Sequence, residues 1–167
     1  GEALLYLHHT GRRYRFEPRP NLNKLVVSEQ DKLETEEVLE ELRAALERKL
    51  ASGSAGQEIV LWPEGPEQVK DEVQRFRVVY LHPEWSEAKT PAGAFISADN
   101  RKYKNGLAIA LPREASFDRA RRATRQVMAI DRLIGDKSRH GFDGGQIEEL
   151  KERRGQAQND LDGALRE

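Results

Sequence analysis

Short apolar runs and longer amphipathic stretches alternate along the chain. Ala3 to His8 and Arg13 to Glu17 read as a strand pair around a Thr10-Gly11 turn. Pro18 and Pro20 are expected to end the second strand, because proline cannot donate to a ladder. Leu25-Val26-Val27 then leads to Ser28, a candidate N-cap. From Ser28 to about Ala51 the apolar positions Leu33, Val38, Leu39, Leu42, Leu46 and Leu50 recur at helical steps, with a glutamate-rich face opposite. Three further strands follow: Glu58 to Trp62, Arg75 to Leu81 and Gly106 to Leu111. Each stops at a proline, Pro63, Pro83 or Pro112. A short helix over Glu67 to Gln74 and a polar stretch over 84–105 lie between them. Ser116 opens a helix that runs to Ile134 and stops at Gly135, and residues 146–166 are helical again.

Continuous apolar strands with helices between them indicate a sheet covered on both faces. The expected fold is α/β: a mixed sheet of about four to six strands flanked by helices, closed by a C-terminal helical hairpin. Residues 1–113 form the expected core, and residues 114–167 the hairpin, packing on that core or on a partner. The last helix has a thin apolar stripe, Ile147, Leu150, Ala157, Leu161 and Ala164, interrupted by Arg154. It needs a neighbour, either the preceding helix, a second copy or another domain.

Composition narrows the classes. Of 167 residues, 37% are hydrophobic and 34% charged, so a small core with charged helices around it is expected. The net charge of −1 gives no global field toward nucleic acid, and any such contact must be a local patch. The absence of cysteine excludes disulfides, thiolate zinc sites and cysteine nucleophiles. It also fits a reducing compartment, and the expected location is cytoplasmic, with no membrane partner. A chain that opens on Gly1, directly inside the run LLYL, reads as an excised fragment or a tag-trimmed piece of a longer gene product.

Candidate chemistry is sparse. No GxxxxGK[ST] phosphate loop exists, since neither Gly53-Ser54-Ala55-Gly56 nor the glycines at 141, 144 and 145 precede a Lys-Ser/Thr pair. His8 and His9 are neighbours on a strand and point to opposite faces, and His82 and His140 stand far off, so no metal or other cofactor is expected. No strained nucleophile turn is present, and no catalytic residue is assigned. A site at the strand ends would gather Glu64, His82, Glu84 and Arg113, where open α/β sheets hold ligands. Ordinary loop residues explain the same positions.

Two basic-aromatic segments remain: Arg12-Arg13-Tyr14-Arg15-Phe16 and Arg101-Lys102-Tyr103-Lys104-Asn105. Cations interleaved with rings suit phosphate contact and base stacking. A half-buried strand with solvated arginines accounts for the first equally well.

These segments also carry a family likeness. Tyr14, Phe16, Pro20, Asn21, Leu22, Asn23 and Lys24, followed by Arg101, Tyr103, Asn105, Gly106, Leu107 and Pro112, form two patches in fixed order. The order resembles the C-terminal regions of large AAA+-type ATPases from bacterial and archaeal phage-defence and restriction-like gene clusters, which carry a domain of unknown function. The resemblance implies a non-catalytic portion of an ATPase whose phosphate loop lies upstream, working beside the motor module. The later strand exits through Pro112-Arg113 where the family has Pro-Asp, so no acidic role carries over. The implied work is positioning DNA, the ATPase module or another subunit of a defence complex. The expected contact surface is Arg12, Arg13, Arg15, Lys24, Arg101, Lys102 and Lys104. The alternatives are an interaction or oligomerisation module acting through residues 146–166, and a small enzyme with its site at His82, Glu84 and Arg113.

Overall fold

A computed structural model describes residues 4–10, 13–19, 21–53, 56–71, 75–83, 91–98 and 101–166. Among the described residues, five strands form two separate sheets. β1 (Leu4–Thr10) and β2 (Arg13–Arg19) pair antiparallel, from Leu4 opposite Arg19 to Thr10 opposite Arg13. The ladder runs through Pro18, which was expected to end it, with Pro18 opposite Leu5. Both strands of a two-stranded ribbon are edges, and an edge tolerates a missing N–H.

The chain is α/β as expected, but among the described residues the expected mixed sheet of about four to six strands is replaced by a smaller parallel one. β3 (Glu58–Leu61), β4 (Arg77–Tyr80) and β5 (Leu107–Ala110) make a three-stranded parallel sheet in the order β3-β4-β5. Ile59 lies opposite Val78, and Val78 opposite Ala108. Parallel neighbours need crossover connections, which segments 62–76 and 81–106 supply. Among its described residues the first crossover holds a 3-10 turn, Pro66–Gln68, in place of the first part of the helix expected over Glu67 to Gln74, and residues 72–74 of that expectation lie outside the described residues. The second holds α3 (Pro91–Ser97), inside the polar stretch over 84–105, to which no element was assigned. Its Phe95 is fully buried against Val69, Val79 and Leu81. One large buried ring on a seven-residue helix leaves no periodicity to read.

The helix expected from Ser28 to Ala51 is two helices. α1 (Leu22–Asp31) begins at Asn21, whose side chain accepts the N–H groups of Asn23 and Lys24 at 3.0 and 3.3 Å. Asparagine at N-cap satisfies two of the donors a helix start leaves open. α2 (Thr35–Gly53) follows a break at Lys32 to Glu34. The guanidinium of Arg125 closes that break, donating to the carbonyls of Gln30 and Leu33 at 3.1 Å each.

α4 (Glu114–Gly135) is capped at Arg113, three residues before the expected Ser116 cap, and the short α5 (Lys137–His140) ends at Gly141, φ 62°. α6 (Gly144–Ala164) opens on a capping box: Asp143 accepts from Gln146 N–H at 2.8 Å, and Gln146 accepts from Asp143 N–H at 3.2 Å. α4 and α6 run antiparallel, as the ion pairs Arg119–Asp160 and Arg154–Asp131 require. Leu150 packs with Leu22, Val26, Ile130 and Leu133, and Leu161 and Ala164 pack with Leu42, Ala120 and Ala123. These clusters join α1 and α2 to the hairpin across residue 113. Leu150, Ala157, Leu161 and Ala164 of the 146–166 stripe are thus buried within their own chain, and Ile147 is half-buried. Among the described residues, no helix is long and apolar enough to cross a membrane.

Candidate functional site

Parallel strands give the sheet two unlike ends. The residues just before β4 and β5 share the amino end. Arg75-Phe76 precedes β4, and Lys104 to Gly106, a 3-10 turn, precedes β5. The two segments adjoin: Arg77 stands opposite Leu107 in the β4–β5 ladder, and a Cβ added at Gly106 would lie 3.9 Å from the Arg75 carbonyl oxygen. Lys70, Arg75, Lys102 and Lys104 are exposed there. Phe76 and Tyr103 keep 50% and 39% of their surface in solvent, which leaves ring faces available to stack.

Arg101 and Asp71 fix the loop that carries Lys102 to Lys104. Arg101 is only 8% exposed. Its guanidinium donates to the carbonyls of Val69 at 2.9 Å, Lys70 at 3.3 Å and Pro66 at 3.4 Å, and its buried Nε has no partner. It acts as a bolt between two loops, although its place in a basic-aromatic run marked it as a contact residue. Asp71 accepts the backbone N–H of Lys102 at 2.7 Å and of Tyr103 at 3.1 Å. The Lys102 N–H, outweighing partial desolvation, holds the Asp71 carboxyl below its ordinary range, helped by Tyr103 N–H and the charges of Arg101 and Lys102. Beneath this end, Arg77 is buried and donates to Glu58 at 2.9 Å.

The remaining expected contact residues are scattered. Lys24 is exposed on the first turn of α1. Arg13 and Arg15 stand opposite Thr10 and His8 in the β1–β2 ladder, and Arg12 lies outside the described residues. On α4, Arg119, Arg121 and Arg132 pair with Asp160, Asp118 and Glu37. Arg75 and Phe76 were missed because RFRVVYL reads as strand throughout. The signal was present, since Arg75-Phe76-Arg77 repeats the alternation of Arg13-Tyr14-Arg15.

At the carboxyl end, Trp62, His82 and Phe117 form an edge-to-face set. Trp62 lies 4.9 Å from His82 and 6.1 Å from Phe117, ring centre to ring centre, and His82 lies 5.9 Å from Phe117. Trp62 has φ 50°, a left-handed conformation that costs a bulky residue about 1–3 kcal/mol. Its N–H donates to the Tyr80 carbonyl at 2.8 Å, and each ring pair offsets about 0.5–1.5 kcal/mol of the strain. A cleft of about 270 Å³ opens beside it, with Arg113 on its lining. Glu64 is exposed and hydrogen-bonds Gln68, and Glu84 lies outside the described residues. Of the expected strand-end group, His82 joins the ring set and Arg113 the cleft. Among the described residues, no three His, Asp or Glu side chains are grouped to hold a metal. No family model, curated protein or solved structure matches the chain.

Proposed function

We propose that the chain is a non-catalytic accessory domain of a larger AAA+-like ATPase, and that it positions DNA against the amino end of its parallel sheet. One observation carries the reading: Arg75-Phe76 adjoins the loop of Lys102, Tyr103 and Lys104. Cations track a phosphate backbone while exposed rings stack on bases without regard to sequence. Asp71 lies within the patch, but its carboxylate already accepts two backbone N–H groups of the loop. The ATPase half of the proposal rests on the PNLNK and RKYKNGLAIALP segments.

Filter binding of a thymidine oligonucleotide at two salt concentrations tests the DNA half. Lys70, Arg75, Lys102 and Lys104 engaging four phosphates of a single strand give a log–log salt slope of about −3, or about eightfold weaker binding per doubling of salt. K102A/K104A removes two exposed charges and should halve that slope. No detectable binding at low salt defeats this half. A parent gene without a phosphate loop upstream of Gly1 defeats the other.

A further inference from the structure

The carboxyl end of the sheet holds a second site that shares no residue with the first. Its cleft of about 270 Å³ lies between the strand ends and the helices, lined by Leu42, Leu46, Trp62, Tyr80, Phe117 and Leu165 among others. We propose that this cleft anchors one large apolar side chain of a partner protein, with an acidic residue beside that side chain meeting Arg113.

Size argues for a side chain. Pockets for whole small ligands start at roughly 300 Å³, whereas a single buried anchor is the usual centre of a protein interface. The rim argues for a polypeptide. Leu111 is 52% exposed at the mouth, next to Pro112, and an apolar rim is covered when a chain lies across it. Charge argues for the acid. The Arg113 side chain, at the N-cap of α4, is exposed beside the cleft and makes no hydrogen bond or ion pair among the described residues; Arg122, farther along the helix, is also exposed but does not line the cleft. A carboxylate next to the anchor completes that guanidinium in a bidentate geometry an amide does not match. The strained Trp62 backbone holds its ring at this wall, as sites that need a fixed surface tend to do.

The test uses the whole chain, isotopically labelled, with acetyl-Gly-Phe-Asp-Gly-amide as the probe and its Asn counterpart as control. The Asp peptide should shift the Trp62 indole N–H signal with a millimolar dissociation constant, and the Asn peptide should bind about two- to fivefold more weakly. R113Q should erase that difference. A110L, which narrows the cleft, should abolish both, with an unchanged amide spectrum away from the cleft certifying its fold. Three results overturn the proposal: no Trp62 shift up to about 5 mM peptide, several-fold above the expected constant; equal binding of the Asp and Asn peptides to the unaltered chain; or tighter binding of free 3-phenylpropionate than of the peptide, which would make the occupant a small amphiphile. None of these touches the DNA reading, and loss of DNA binding leaves this site standing.

Discussion

Arg101 separates two accounts of this chain, because a contact residue and a structural bolt fail differently when removed. Arg101→Ala deletes one strong charged hydrogen bond, to the buried Val69 carbonyl at 2.9 Å, and two long ones, to Lys70 and Pro66. The short bond is worth about 1.5–3 kcal/mol, and each long one about half as much. Against this, the native residue already carries a buried Nε without a partner, a cost of about 1–3 kcal/mol that the mutation relieves. The net loss is therefore about 2–3 kcal/mol. At this chain length that lowers the melting midpoint by about 5–10 °C. Arg101→Lys should recover less than half, since one ammonium does not span three carbonyls as a guanidinium fork does. Urea unfolding followed by circular dichroism measures the loss, and oligonucleotide binding is read at a temperature where both variants are folded. The bolt predicts a large stability loss, with DNA affinity changing only as far as the Lys102–Lys104 loop is displaced. A stability change under about 0.5 kcal/mol together with a tenfold or greater fall in affinity would refute this reasoning and return Arg101 to the contact surface.

Three further outcomes are expected. Asp71 titrates below its ordinary value of 3.8 in the folded chain, so its clamp is fully present above that value and is lost as pH falls through the lower folded pKa. The Lys102 and Tyr103 amides should therefore stay protected from exchange at pH 5–7 and lose protection only below about 3.8; loss between pH 6 and 5 would contradict the assignment, and Asp71→Asn should abolish the transition. Leu133→Ala empties a fully buried position shared by α1, α4 and α6 and should cost about 3–4 kcal/mol by urea unfolding, where a cost under about 1 would mean the three helices do not share that core. Asp143→Ala removes the α6 capping box and should cost about 1 kcal/mol, while Asp143→Asn, which still accepts from Gln146 N–H, should cost a fraction of that.

The sequence was most legible where one local force dominates. Runs such as EIVL and RVVY, each followed shortly by a proline, mark strands with no solvent-exposed residue, and their parallel pairing follows from the intervening crossovers. The α4–α6 hairpin was readable from two apolar stripes and a glycine-rich turn. Failures came where a distant partner decides. Ser28 and Asn21 are equally good caps by residue type, and Asn21 prevails because a helix begun there turns Leu22 and Val26 onto Ile130 and Leu133. The break after Asp31 is stabilised by Arg125, far along the chain, and nothing near residue 32 announces it. Joining the ribbon to the sheet arose from counting strands without asking what separates them: α1 and α2 intervene, and both pack on the hairpin.

The same limit explains the fate of the basic-aromatic run at 101–105. A guanidinium is a fork of five donors, and three backbone carbonyls suit it as well as a phosphate does. Residue type alone therefore leaves Arg101 undecided, whereas the ammonium groups of Lys102 and Lys104, strongly hydrated, stay in solvent. Burying the arginine orders the loop that carries the lysines and Tyr103, so the residue that leaves the contact surface is the one that shapes it. Sheet polarity has a further consequence. Lys104 and Arg113 flank the same short strand, whose four residues span about 13 Å, with one residue before its amino end and the other past its carboxyl end. A nucleic acid at one end and a polypeptide at the other would occupy opposite ends of β4 and β5 without competing for a side chain. The proposed DNA-positioning role would require that separation, and a parallel sheet provides it because every strand enters at one end and leaves at the other.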